Sequence, residues 1–174
     1  VPDFLNKYSK IYVLAWTTTP WTLPSNTALT VGKKIEYCLI KTFNLYTHLP
    51  VNVVLAKALI DKVFKTNFIE VKNDDELIFN NDKQIPFIVK EVFLGKDLIG
   101  IKYHQLWDNA PLPDKNPENA FRVISGDFVT TDDGTGIVHT SPTFGADDAM
   151  AAKNAKPEVP PMLIKNANDE LVPL

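Results

Sequence analysis

The chain of 174 residues has a single cysteine, only seven glycines and, among its 18 basic residues, a single arginine, Arg122. Cys38 alone can form no internal disulfide and no thiolate metal cluster, so the fold must rest on an apolar core. With one arginine, scattered lysines and a formal net charge of −3, the chain lacks the basic surplus by which proteins grip nucleic acid unaided. A weak contact guided by a larger assembly stays compatible with that balance. No uninterrupted apolar run approaches the roughly 20 residues of a membrane helix. The start, Val1-Pro2-Asp3-Phe4, is not the basic-then-apolar pattern of a signal peptide. What is present is ordinary for a globular domain: 45% hydrophobic, 10% aromatic and 22% charged residues, well outside the composition of disordered chains. A soluble, cytoplasmic protein with no membrane partner is expected.

The chain starts without methionine, and Asp169 to Leu174 read as structured sequence. The expectation is therefore one domain, residues 1–174, excised from a longer protein. Ile11 to Trp16, Ile35 to Phe43, Val51 to Leu55 and Ile85 to Leu94 predict strands, the first apolar on both alternating faces as in a strand buried on both sides. Phe121 to Ile124 and Gly136 to Thr140 predict two more, and the turn signal Thr131-Asp132-Asp133-Gly134 between them suggests a hairpin. Helices are expected over Ala56 to Lys65, from the spacing of Leu59, Ile60, Val63 and Phe64, and over Ala146 to Ala155, which opens with Asp147 and Asp148. Asn73 to Gln84 reads as a surface hairpin or loop, and Asp108 to Asn119, with three prolines, as a long surface connection. Many strands and few helices predict an α+β domain around a mixed, partly closed sheet.

Two segments stand apart. Trp16-Thr17-Thr18-Thr19-Pro20-Trp21-Thr22-Leu23-Pro24-Ser25-Asn26 ends a strand in three threonines, with two prolines that hold Thr19 and Leu23 extended. A stiff loop of this kind fixes hydroxyls and backbone amides in one place, which suits a polar substrate; the plainer reading is a threonine-rich strand end. Asp132-Asp133-Gly134-Thr135-Gly136-Ile137-Val138-His139-Thr140-Ser141-Pro142-Thr143-Phe144-Gly145-Ala146-Asp147-Asp148 carries a histidine at a strand end and a carboxylate in the first turn of a helix. Strand, loop and helix would bring the two to one mouth, although a strand-end histidine is often only hydrogen-bonded and an early aspartate often only complements the helix dipole. Rival chemistries fit less well. Gly134-Thr135-Gly136 completes neither a dinucleotide fingerprint nor a phosphate-binding loop. His48, His104 and His139 have no metal-ligand spacing, and Ser141, followed by proline, sits in no nucleophile elbow. Cys38, inside an expected strand, reads as inert.

The threonine-rich segment closely resembles the corresponding peptide of isoleucyl-tRNA synthetases. Gly134-Thr135-Gly136-Ile137-Val138-His139-Thr140, with Asp147-Asp148, resembles their second editing motif, in the same order. The related valine and leucine enzymes carry arginine where this chain has Thr19. The resemblance implies the inserted editing domain (connective polypeptide 1), a β-barrel-like α+β module that removes valine wrongly attached to isoleucine tRNA. The class I signatures His-Ile-Gly-His and Lys-Met-Ser-Lys-Ser do not occur, so no cofactor, ATP, magnesium or synthetic activity is expected of these residues. Carried over residue by residue, Asp148 would pair with the substrate's α-ammonium group, and His139 would line the side-chain pocket and exclude a methylene. Thr17, Thr18, Thr19 and Asn26 would hold the ester and the reacting water, while Trp16 and Thr22 would shape the wall near the terminal adenosine. The chain departs from the family at Phe144, where many members have histidine, and at Thr143, which replaces glycine. The implied partners are the 3′ end of mischarged isoleucine tRNA, bound weakly in isolation, and the rest of the synthetase chain. Two alternatives stay open: a non-catalytic module binding the tRNA end or amino acid, and a general Ser-His-Asp esterase.

Overall fold

The computed structural model describes residues 2–80 and 84–174. After a short helix α1 (Asp3–Asn6), ten strands and two further helices follow: β1 (Ile11–Val13), β2 (Ala28–Val31), β3 (Glu36–Phe43), β4 (Pro50–Ala56), α2 (Ile60–Val63), β5 (Phe68–Glu70), β6 (Ile85–Leu94), β7 (Arg122–Ser125), β8 (Ile137–Thr140), α3 (Ala146–Asn154), β9 (Leu163–Lys165) and β10 (Leu171–Pro173). A five-stranded mixed sheet runs β1-β4-β3-β6-β5, a three-stranded sheet runs β7-β2-β8, and β9 and β10 form a separate hairpin. The expected α+β architecture with few helices is what forms.

The long strands are mostly apolar, interrupted by Glu36 and Lys41 in β3 and by Lys90 and Glu91 in β6, because most of both faces of the large sheet is covered. Side chains alternate faces: Tyr37 and Leu39 of β3, Val54 and Ala56 of β4 and Phe93 of β6 join Leu29, Val31, Val123 and Ile137 of the small sheet in one core. Cys38, Ile40, Val53, Leu55 and Phe87 point the other way, against Phe64. A register shift between Leu39 and Ile40, opposite β6, marks a bulge that lets the sheet bend. The two sheets are also joined along the backbone. Trp16, beyond β1, bridges to Val138 of β8, with its N–H donating to Ile137 O at 3.1 Å, and Ala56 N–H donates to Thr135 O at 2.8 Å. Tyr37 Oη accepts from Gly32 N–H at 3.0 Å and donates to Gly136 O at 2.6 Å. These joints give the barrel-like closure. They also require glycine, since Gly134 and Gly136 have φ of +70° and +72°. A Cβ would lie 2.9 Å from the Trp16 side chain at the first and 2.4 Å from Ala56 Cβ at the second.

Several local expectations are corrected. Strand β1 is an edge strand paired only with β4, and Tyr12 is exposed, so it is not buried on both sides. Strands β7 and β8 do not form a hairpin: β2 lies between them, parallel to β7 and antiparallel to β8. Its four buried residues fill the central place that a β7–β8 hairpin would have closed. The expected helix from Ala56 begins later, because Ala56 still pairs with Tyr37 in the sheet. It consists of a 3-10 turn (Lys57–Leu59) followed by the four residues of α2. Helix α3 forms as expected. The excursion from Asn73 contains a 3-10 turn, Asp74–Glu76; its residues 81–83 lie outside the described ones. The single arginine is occupied by the fold, donating from Nε to Asn119 O at 3.0 Å and from Nη2 to Pro157 O.

Candidate functional site

The threonine peptide leaves the large sheet at Trp16 and enters the small one at β2, so its course is fixed at both ends. Pro20 starts a 3-10 helix, Pro20–Ser25; Thr19 before it lies outside the helical region (φ −123°, ψ 65°) but is not fully extended. Leu23, expected to be extended before Pro24, instead lies inside the 3-10 helix, whose closing bond from Asn26 N–H to Leu23 O at 3.0 Å outweighs the steric bias before proline. Thr17 Oγ1 accepts the Thr19 N–H at 3.0 Å and lies 3.3 Å from Thr19 Oγ1, which is 3.3 Å from Thr22 Oγ1. Thr18 is exposed, and its hydroxyl makes no hydrogen bond among the described residues. Trp16 is half-exposed and backed by Gly134. Ser25, at the far end of the 3-10 helix, donates to Leu174 O at 2.6 Å.

His139 faces the core because strand alternation puts it on the side of Ile137 and opposite Leu29 of β2. It is only 6% exposed, and a buried polar ring needs partners. Asn26 Nδ2 lies 2.8 Å from His139 Nδ1 and donates to Ala28 O at 2.9 Å. Tyr103 Oη donates to Asn26 Oδ1 at 2.6 Å. Thr22 Oγ1 lies 3.0 Å from His139 Nε2 and donates its only proton to Thr19 O at 2.8 Å. The polarity of this chain is then determined: His139 Nδ1 accepts, and Nε2 carries the proton and donates to Thr22. Burial holds the imidazole below its ordinary pKa against the opposing contact with Thr22, so the ring is neutral at physiological pH.

Asp148 sits in the first turn of α3, half-buried. Its Oδ2 accepts the Ser141 N–H at 2.8 Å, two residues beyond His139. Oδ1 makes no hydrogen bond among the described residues. Burial raises the carboxyl above its usual range, opposed by the Ser141 bond and reinforced by Asp147; a cation placed there would reverse that shift. The members of a Ser-His-Asp triad are not joined. Ser141 Oγ lies 3.4 Å from Thr143 Oγ1, Asp148 holds a backbone N–H, and both nitrogens of His139 are taken.

The structure therefore gathers Thr17, Thr19, Thr22, Asn26 and His139 into one hydrogen-bonded group, with Trp16 and Thr18 at its surface. It ties Asp148 to the strand end through Ser141. Tyr103 was missed by the sequence reading: it belongs to neither motif and stands 77 residues from Asn26, with no local pattern to mark it. Among the described residues no group of three or more His, Cys, Asp or Glu side chains is placed to hold a metal ion, and no helix is long and apolar enough to cross a membrane. A separate open groove of about 410 Å³ is lined by Lys7, Tyr8, Ser9, Lys41, Asn52 and Lys90. Two of its lysines are already paired, Lys7 with Glu91 and Lys90 with Asp74.

No protein-family model matches the chain. Isoleucine–tRNA ligases do. That of Bacteroides fragilis is 53% identical over 164 residues, 94% of this chain and 14% of the ligase. That of Cytophaga hutchinsonii is likewise 53% identical over 164 residues, with the same coverage. That of Clostridium tetani is 43% identical over 143 residues, 82% of this chain and 11% of the ligase. The chain thus spans about a seventh of the length of the first two. Among solved structures, the editing domain of the cytosolic leucyl-tRNA synthetase of P. falciparum superposes with a TM-score of 0.56 at 16% identity, over 84% of this chain and 47% of that one. The structure described as GlLeuRS-CP1 gives a TM-score of 0.51 at 17% identity, over 83% and 44%. At such identities these two bear on the fold alone.

Proposed function

Since this chain belongs to the isoleucine–tRNA ligase family, as a segment with the fold of a synthetase editing domain, we propose that residues 1–174 are one editing domain that hydrolyses valine mischarged on isoleucine tRNA. The chemical need is a general one, and this enzyme family is its standard example: one missing methylene gives only about 150-fold discrimination between isoleucine and valine at a first site. A second site must then accept the smaller product and reject the larger.

The observation that carries the reading is the buried, neutral group around His139 beside a single half-buried carboxylate. Oδ1 of Asp148 is left to pair with the α-ammonium of the aminoacyl group. A ring held at both nitrogens cannot swing aside, and that rigidity is what steric rejection of a methylene requires. The same bonds leave His139 no nitrogen with which to act as general base. The Asn26 amide is engaged by Tyr103, Ala28 and His139, so it acts by positioning His139. Thr17 and Thr19 hold the loop, and Thr18 offers the free hydroxyl for the ester or the reacting water. Trp16 and Thr22 form the wall toward the terminal adenosine. With no side-chain nucleophile in place, water oxygen attacks the ester carbonyl, the carbon–oxygen bond to the ribose breaks, and a water proton ends on the released ribose hydroxyl. Valine leaves as the free acid. The partners in this reading are the 3′ end of the tRNA and the remainder of a synthetase chain, and the setting is the cytoplasm.

Incubating the chain with valyl-tRNA, isoleucyl-tRNA and a simple aryl ester tests the proposal. Release of valine alone is expected. No release, with binding of a valyl-adenosine analogue, supports a binding module instead, and cleavage of the aryl ester supports a general esterase. The unjoined serine, histidine and aspartate argue against the last.

A further inference from the structure

The buried chain of hydrogen bonds beneath the threonine peptide starts at a residue outside both motifs. Tyr103 Oη gives its one proton to Asn26 Oδ1 at 2.6 Å. Together with the bond from Asn26 Nδ2 to Ala28 O, this decides which end of the amide meets His139. The nitrogen end does, at 2.8 Å. An amide N–H can only donate, so His139 Nδ1 must stay unprotonated, and the ring keeps its proton on Nε2, toward Thr22. Reversing the amide would turn Oδ1 to the ring and admit a proton on Nδ1. We propose that Tyr103 is a positioning residue: its hydroxyl orients the Asn26 amide and so holds His139 as the neutral Nε2–H form that tethers the threonine peptide through Thr22.

The other groups around the ring do not perform this task. Thr22 is neutral; with its one proton on Thr19 O it accepts from Nε2 and so agrees with this tautomer. Its hydroxyl can turn to donate if the ring changes form, whereas the Asn26 N–H cannot accept. Leu29, opposite on β2, is apolar. Asp148 reaches only the Ser141 N–H, and no ion pair to His139 exists among the described residues. Tyr103 is itself kept protonated, because burial pushes its pKa up. It is held in place edge-to-face against Phe121, with ring centroids 6.2 Å apart. The consequence for turnover rests on the editing reading: an imidazolium at this point would repel the α-ammonium of an aminoacyl ester, whereas a neutral ring does not.

Tyr103→Phe removes the donor and keeps the ring. The experiment compares the two chains by nitrogen NMR of the His139 ring, by kcat and KM for valyl-tRNA, and by melting temperature. Wild-type His139 should be the neutral Nε2–H tautomer and titrate below the ordinary value of about 6.5. In Tyr103→Phe the titration should move upward and the Nδ1–H form should appear. Because small misplacements near the chemistry can cost about 100-fold, kcat should fall by about 10- to 100-fold with little change in KM. A folded Tyr103→Phe with wild-type ring titration overturns the proposal, as does an Nδ1–H tautomer in the wild-type chain. The second result needs no variant, so the proposal can be refuted even if Tyr103→Phe does not fold. If wild-type chain leaves valyl-tRNA intact, the editing reading fails, while the ring measurements still judge the role of Tyr103.

Discussion

Replacing Asp148 by asparagine separates charge from shape at the one carboxylate of the site. Asparagine keeps an oxygen for the Ser141 N–H, which Asp148 accepts at 2.8 Å, so the loop into α3 should hold. Two small terms act against the variant: a weaker bond to Ser141 and the loss of a negative charge from the first turn of α3, worth about 0.3–1 kcal/mol. One term favours it. The carboxyl of Asp148 is raised by burial, so the folded chain binds its proton more tightly than the unfolded one. Its contribution to stability is therefore full below the unfolded pKa and falls as pH rises through the raised folded value. At neutral pH the wild type bears that penalty and the amide does not. The balance should lie within about 1 kcal/mol, a melting shift of about 2–4 °C or less. Catalysis should respond far more. Removing one partner of a hydrogen-bonded charge pair costs about 2–5 kcal/mol; for a half-buried group the lower part of that range applies, a loss of about 30- to 150-fold in kcat/KM for valyl-tRNA. Deacylation kinetics and thermal denaturation on the same preparations measure both. A variant that melts far below wild type yet turns over normally per folded molecule would show Asp148 to be a helix-end residue only.

Other perturbations give different signatures. Thr18 is exposed and makes no hydrogen bond among the described residues, so Thr18→Ala should leave the melting temperature unchanged within about 0.5 kcal/mol of stability while valyl-tRNA hydrolysis is lost. Thr17→Ala, which frees the Thr19 N–H, should lower both; retained hydrolysis in both variants would make the peptide structural. Gly134→Ala puts a Cβ at φ +70° and 2.9 Å from Trp16. It should destabilise the chain by about 1–3 kcal/mol and change Trp16 fluorescence, and unchanged melting would contradict the packing. His139 has its pKa lowered by burial, so the unfolded chain takes up its proton first as pH falls. Stability should be full above about 6.5 and decline as pH drops toward the folded value. Melting curves between pH 5 and 8 check this, with His139→Gln expected to flatten the slope.

The sequence was most legible where each residue's neighbours are dictated by alternation alone. Strands β3 and β6 could be read because most of their positions on both faces are at least partly buried, which leaves apolar runs such as Tyr37 to Ile40 and Ile85 to Val89. Strand β2 could not. It is four residues long, starts two residues after Asn26, and its central position depends on partners at 122–125 and 137–140. For the same reason β7 and β8 looked like a hairpin, since a turn signal says that the chain reverses and not which strand lies between its arms. The threonine peptide and the segment from Gly134 to Asp148 carried their own marks in unusual residue types and in resemblance. What they could not reveal was that Asn26 and Thr22 take the two nitrogens of His139, or that Tyr103 sets the polarity of the whole group. Those contacts join residues 77 to 117 positions apart, and a lone tyrosine between Lys102 and His104 has nothing local to distinguish it.

The central claim is that a fixed, neutral ring makes this site a steric sieve. The most direct measurement is the single-turnover rate of valyl-tRNA over that of isoleucyl-tRNA, with the chain in excess, for the wild type and for His139→Ala. The wild-type ratio should strongly favour valine. In the variant both the anchor of the threonine peptide and the wall are removed, so the absolute rates can fall. The ratio should nevertheless shrink by about 10- to 200-fold, the worth of one methylene, as isoleucyl-tRNA becomes a substrate. Two rates that fall together with their ratio preserved, or a wild-type ratio near one, would contradict the account.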